Sequence, residues 1–163
     1  MNLESGIRVV HKTHGVGEIC GVETKNYGAG PQDYYLLRIL SSGLVVRFPK
    51  NFRSTVVRNL ASEQDIIEIY SILKSPPKNY SMVWNRRKKE FNEKIKSGSL
   101  IEIAEVIRDL SSRKSVKDLS FGEKEMLEKA RERIVNEVCV VKSMSVEDVN
   151  QELDSLLRVG TAF

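Results

Sequence analysis

The chain has 163 residues, 40% of them apolar and 29% charged, which suits one domain or two small ones and excludes a disordered chain. No run of about 18 apolar residues occurs, which excludes a membrane-spanning helix, and Met1-Asn2-Leu3-Glu4-Ser5 has none of the basic and apolar patterning of a secretory leader. The net charge of +4 is modest but uneven: residues 76–119 hold 11 Lys/Arg against 6 Asp/Glu, residues 1–75 hold 9 against 7, and residues 120–163 hold 6 against 9. A local surplus of positive charge points to a polyanionic partner, in a protein expected to be cytoplasmic and monomeric.

From about residue 7 to 58 the pattern is that of short strands. Ile7-Arg8-Val9-Val10-His11 and Gly15-Val16-Gly17-Glu18-Ile19-Cys20-Gly21-Val22 are extended runs, and the glycines of the second allow bulges or close backbone approach. Tyr27-Gly28-Ala29-Gly30-Pro31-Gln32 has turn chemistry. Tyr34 to Leu40 forms a third strand, Ser41-Ser42-Gly43 a hairpin turn and Leu44 to Phe48 a fourth strand that Pro49 ends. Thr55-Val56-Val57-Arg58 is a short fifth. Five short strands in so small a span predict an SH3- or Tudor-like β-barrel.

After Leu60 the period becomes helical. Ser62 caps a helix with Ile66, Ile69, Tyr70 and Leu73 on one face, and Ser75-Pro76-Pro77 stops it and predicts a hinge. A second helix is expected from about Tyr80 to Lys96, ending at Gly98. Ser99, Ser120 and Ser145 cap three more. Leu100, Ile103, Ala104, Ile107 and Leu110 lie inward on the first of these, with Glu102, Glu105, Asp109 and Arg113 opposite. Leu127, Ala130, Ile134, Val138 and Val141 lie inward on the next, and Val149, Leu153, Leu156 and Leu157 on the last. The predicted class is α+β: residues 1–60 a small β-barrel, residues 61–163 a compact helical bundle.

Little in the sequence has the pattern of an active site. No Gly-x-x-x-x-Gly-Lys-Ser/Thr loop is present, and Gly15-Val16-Gly17 and Gly28-Ala29-Gly30 lack the third glycine of a dinucleotide fingerprint. His11 and His14 have no third ligand nearby, so no metal site and no cofactor are expected. The two cysteines, Cys20 and Cys139, are read as reduced, half-buried small hydrophobes. Glu102, Glu105, Glu123, Glu125 and Glu128 are explained by solvated pairing with neighbouring Lys and Arg. A small enzyme such as a nuclease would need an acidic metal cluster that the sequence lacks.

The chain's only tryptophan, Trp84, stands beside Arg86-Arg87-Lys88-Lys89. A flat apolar ring next to cations suits nucleic acid, with phosphates for the charges and base steps for the ring. The same residues also read as a core anchor beside a solvated helix face, and the residues alone leave both open.

Several segments together resemble the CarD/CdnL family of bacterial RNA polymerase-binding transcription regulators. They are Val9-Val10-His11-Lys12-Thr13-His14-Gly15-Val16-Gly17, Tyr35-Leu36-Leu37, Val46-Arg47-Phe48-Pro49, Trp84-Asn85-Arg86-Arg87, Lys96-Ser97-Gly98, Ile103 to Leu110, and Leu119 to Leu127 with Ala130-Arg131. The resemblance spans roughly residues 5–142. It implies a Tudor-like domain that docks on the polymerase β subunit through a strand edge, with Arg47 and Lys25 as its basic contacts. Lys25, after Glu23-Thr24, keeps the charge of the arginine that relatives can carry without its bidentate fork. The resemblance also implies that Trp84 wedges into the minor groove at the upstream edge of the melted promoter and stabilises the open complex. Arg86, Arg87, Lys88 and Lys89 would hold phosphates around it. The competing expectation is a free-standing architectural minor-groove DNA-binding protein that does not touch polymerase.

Overall fold

The computed structural model describes residues 3–78 and 83–160, so Tyr80–Met82, expected to open the second helix, lie outside the described residues. The chain divides into two compact units, Met1–Leu60 and Ala61–Phe163. No helix among the described residues is long and apolar enough to cross a membrane.

The first unit is a five-stranded antiparallel sheet. Its strands are β1 (Arg8–His11), β2 (Gly15–Asn26), β3 (Pro31–Ile39), β4 (Val45–Pro49) and β5 (Val57–Arg58), in the order β4-β3-β2-β1-β5. Three hairpins join β1 to β4, and β5 returns to β1 with Val10 opposite Arg58 and His11 opposite Val57. Among the described residues β4 and β5 do not pair with each other. The sheet is therefore open, and the closed barrel expected from the strand spacing is not formed. Thr55-Val56 also departs from expectation: a 3-10 turn (Lys50–Phe52) and one helical turn, α1 (Arg53–Val56), follow Pro49, and only Val57 and Arg58 reach the open side of β1.

Val9, Ile19, Tyr35, Leu37, Ile39, Phe48 and Val57 form the core of this unit. Burying an aliphatic or aromatic side chain of this size contributes roughly 1.5–3 kcal/mol. At the β1–β2 turn, His11 Nδ1 accepts from the amides of Thr13 and His14 at 3.1 and 3.3 Å. Two glycines complete the turn for different reasons. Gly15 has φ 88°, which a side chain disfavours. At Gly17 a Cβ would sit 2.8 Å from Leu37 Cγ and 2.9 Å from the Arg38 carbonyl, so β2 crosses β3 too closely for any side chain. Cys20 sits at a register shift between Ile19 and Gly21 and follows the buried Ile19, and its expected half-buried position is corrected to an exposed one.

The second unit contains α2 (Glu63–Lys74), α3 (Trp84–Ser97), α4 (Leu100–Val116), α5 (Phe121–Lys142) and α6 (Val146–Gly160). The serines expected to start helices do so. Ser62 and Ser120 form reciprocal capping boxes with Asp65 and Glu123, Ser99 accepts from the Glu102 amide, and Ser145 accepts from the Asp148 amide. Gly98, at φ 73°, ends α3. Ile66, Ile69, Leu73, Phe91, Ile103, Ile107, Leu110, Ile134 and Leu153 build the core. On α5 it is Met126 rather than Leu127 that is fully buried, with Leu127 at the margin.

The segment after α2 is held by hydrogen bonds at its described residues. Arg108 grips Asp109 with two hydrogen bonds (2.8 and 3.0 Å) and donates a third to Ser75 Oγ at 3.1 Å. Asp109 in turn accepts the Lys78 amide at 3.1 Å, and Lys78 Nζ pairs with Glu105. Glu105 also accepts from Lys94 of α3 at 2.7 Å. The polar side of α4, expected to be solvated, thus clamps neighbouring chain instead.

Candidate functional site

Trp84 is the first residue of α3 and is half-buried, so its indole is neither sealed in the core nor fully in solvent. One turn later, Arg87 places its guanidinium carbon 5.3 Å from the centre of the indole ring, within cation–π range. On another side, the indole Cζ2 lies only 3.4 Å from where a Cβ on Gly122 would be. The ring therefore lies close to a cation on its own helix and to the first turn of α5, where residue 122 has no side chain to crowd it.

Arg87 differs from the other cations of its run. It is buried, and its Nη2 donates to Glu123 Oε1 at 2.9 Å, with side-chain exposures of 6% and 4%. Arg113 of α4 brings its Nε within 2.9 Å of the same oxygen. The other oxygen, Glu123 Oε2, accepts the Ser120 amide at 2.9 Å, closing the capping box of α5. One carboxylate thus caps α5 and neutralises arginines from α3 and α4. Burial alone would push the Glu123 carboxyl up, but the Ser120 hydrogen bonds, Arg87 and Arg113 outweigh it and hold the carboxyl below its ordinary value. Removing one partner of such a buried pair costs about 3–5 kcal/mol, because the other charge is stranded. The guanidinium of Arg87, expected to contact phosphate, faces Glu123 and the indole, where a phosphate would have to displace a buried carboxylate.

Arg86, Lys88 and Lys89 are exposed, as the run predicts. Apolar surface accompanies them: Val83, just before Trp84, is 63% exposed, and Phe121, next to Gly122, is 85% exposed. The result is a half-buried indole with exposed apolar neighbours and cations on the same helix. Such a surface can hold phosphates by charge and meet a base step with an apolar face.

Lys25 and Arg47 meet elsewhere, on the sheet. Glu23 of β2 accepts from Lys25 and from Arg47 of β4, each at 2.9 Å and in solvent. The hydrogen bond from Lys25 and then that from Arg47 hold the Glu23 carboxyl below its ordinary value. β4 is an edge strand, so Arg47 stands where the sheet has unpaired backbone groups to offer. The rings of His11 and His14 lie tilted to each other with centres 4.8 Å apart, and among the described residues no group of three or more His, Cys, Asp or Glu could hold a metal ion.

Sequence reasoning missed the second role of Glu123 and the place of Gly122 under the indole. The capping box announced that the Glu123 carboxylate would turn back to Ser120; that it also collects two arginines depends on how three helices pack. A signal for Arg87 was present: Trp84, Arg87, Phe91 and Ile95 recur at helical spacing, which puts Arg87 on the inward stripe.

Comparison with known proteins agrees with this division. Residues 3–60 match the CarD-like/TRCF RID domain, and residues 68–154 match the CarD C-terminal domain. The chain is 31% identical over 145 residues to YdeB of Bacillus subtilis (strain 168), a protein provisionally named as a transcription factor, covering 88% of this chain and 95% of that one. Both halves are matched, in order, by domains of one family across nearly the full length of a relative, and the chain therefore belongs to the CarD/CdnL family of transcription regulators.

Proposed function

We propose that the protein regulates transcription by binding RNA polymerase through its sheet unit and stabilising the promoter open complex through its helical unit. The observation that carries this reading is the setting of Trp84: a half-buried indole at the start of α3, beside a buried Arg87–Glu123 pair and the exposed Arg86, Lys88 and Lys89. A wedge is favoured where a base step is already open, because the unstacking cost of a few kcal/mol has been met there. The protein then shifts melting only by its difference in affinity between the open edge and closed duplex. Exposed Arg86, Lys88 and Lys89 add affinity without sequence information. Lys25 and Arg47, with the edge of β4, form the contact to the polymerase β subunit, and this tether raises the local concentration of the helical unit at the promoter.

Trp84→Ala is the deciding variant. It should keep polymerase co-purification and shorten the lifetime of the open complex on a promoter with an unstable bubble. A variant with wild-type open-complex lifetime would sink the wedge. Loss of polymerase binding by wild-type protein in a pull-down would leave only an architectural DNA-binding role.

A further inference from the structure

Two contacts define what the Trp84 ring can offer a ligand. The Arg87 guanidinium lies over one face of the indole, its central carbon 5.3 Å from the ring centre. The first turn of α5 comes up to the Cζ2 edge, where a Cβ on Gly122 would stand 3.4 Å away. The guanidinium is not free to swing aside. Its Nη2 is tied to Glu123 Oε1 at 2.9 Å, with side chains only 6% and 4% exposed, and Glu123 Oε2 is itself fixed by the Ser120 amide at 2.9 Å. One face of the half-buried indole is thus covered by a cation that is locked from behind.

We propose that Arg87 is a specificity-determining residue. By covering one face of Trp84 it makes the indole a one-sided stacking surface, suited to the bare face of the last base pair at an open fork and not to the gap between two pairs of a closed duplex. The inference rests on the wedge reading of Trp84 and extends it. A ring inserted into a continuous stack is contacted on both faces, so it would have to push Arg87 off. That would leave the buried Glu123 carboxylate short of a partner. At a fork the terminal pair already has a bare face, and one side of the ring is enough. A base stacked on an aromatic side chain changes affinity by roughly five- to 150-fold, so one face gained or lost can set the whole difference between open edge and closed duplex. Arg87, by sequence one of four neighbouring cations, thereby acts on DNA through the ring and not through a phosphate.

The test uses the full chain and two fluorescent DNA probes, a continuous duplex and the same duplex ending in an unpaired fork. Trp84 is the only tryptophan, so emission and acrylamide quenching report on this ring alone. The double variant Arg87→Ala/Glu123→Gln removes the cover together with the carboxylate that holds it, and leaves Arg113, 36% exposed, to solvent. Quenching should rise, and the preference for fork over duplex should fall roughly fivefold or more because duplex binding tightens. Arg87→Lys keeps a charge for Glu123 and gives up the planar cover, so it should fold as the parent does and lower the preference about two- to threefold, which decides the matter if the double variant does not fold. Leu153→Ala, a cavity in the core away from the indole, should lower the melting temperature and leave quenching and preference unchanged. Unchanged quenching in the double variant, or an unchanged preference in both Arg87 variants, would overturn the role of Arg87. A preference that falls only because fork binding weakens would overturn it too. Trp84→Ala tells this failure from that of the wedge: the wedge itself fails if Trp84→Ala keeps the parent's fork preference.

Discussion

Glu23 in the sheet unit and Glu123 in the helical unit each gather two cations, and both carboxyls are held below their ordinary value. Their surroundings are opposite. Glu23 and its partners Lys25 and Arg47 have side chains 31%, 44% and 54% exposed, whereas Glu123 and Arg87 are buried beneath an indole and a helix terminus. Water screens the first cluster, so its cations can exchange Glu23 for the carboxylate of another protein at little cost. The second cannot exchange partners without leaving a charge in the interior. The same chemistry thus makes a replaceable contact in one unit and a fixed platform in the other.

Substitutions break this comparison most visibly at Glu123. Glu123→Ala should strand Arg87 and Arg113 and remove a helix cap, costing about 3–5 kcal/mol and lowering the melting temperature of the helical unit by roughly 10 °C or more. Glu23→Ala, measured the same way by circular dichroism, should barely move the melting temperature of the sheet unit. A similar loss at both positions would erase the distinction. Glu123→Gln, which can keep an acceptor for the Ser120 amide, should fall between the parent and Glu123→Ala and so separate the cap from the charge.

Acid gives the next effect. A carboxyl whose folded value is depressed contributes stability that is full above its unfolded value and is lost as pH falls through the folded one. Glu123 therefore stabilises the helical unit fully above its ordinary value of 4.5 and progressively less below it. Melting temperature recorded from pH 7 down to about 3 should fall less steeply in Glu123→Gln than in the parent. A parallel pair of curves would remove Glu123 from the acid transition. Gly122→Ala should act more weakly and in the other direction, stabilising α5 by about 0.5–1 kcal/mol, since its Cβ would stand 3.4 Å from the indole without overlap. Its tryptophan emission should match the parent's. A red shift would mean the indole had been pushed off α5.

The smallest effect on stability is expected from Arg47→Glu, which leaves Glu23 and Lys25 in solvent. Its effect on binding should be the opposite: polymerase co-purification should be lost. Retained capture would remove Arg47 from the interface, and a large fall in melting temperature would mean that the Glu23 cluster is structural after all.

Most of the elements were legible because local chemistry sets them. Ser62, Ser99, Ser120 and Ser145 each satisfy an orphan amide within one turn, and Gly98 stops α3 by its own backbone. The β-branched runs and their turns located the strands. What was not legible depends on contacts distant in sequence. Whether five strands close depends on how their edges meet, and here β4 and β5 do not pair. Ser75-Pro76-Pro77 announced a hinge but not how it is held, because the residues that hold Ser75 and Lys78, Arg108 and Asp109, lie some thirty positions away. Cys20 was misplaced because the expectation rested on the usual burial of cysteine rather than on its place in the strand, where it follows the buried Ile19 and so faces out. In the candidate site, four neighbouring cations looked equivalent until helical phase and a distant glutamate separated Arg87 from the rest.

The β1–β2 turn shows that two glycines two positions apart can be needed for unrelated reasons. Position 15 is constrained by backbone handedness, so a mirror-image amino acid such as D-alanine, installed there by chemical synthesis, should fit where L-alanine strains. Position 17 is constrained by the space between two strands, where an L side chain would meet Leu37 and the Arg38 carbonyl, and its φ is not in the left-handed region that a D-residue prefers. Chirality would therefore rescue one site and not the other.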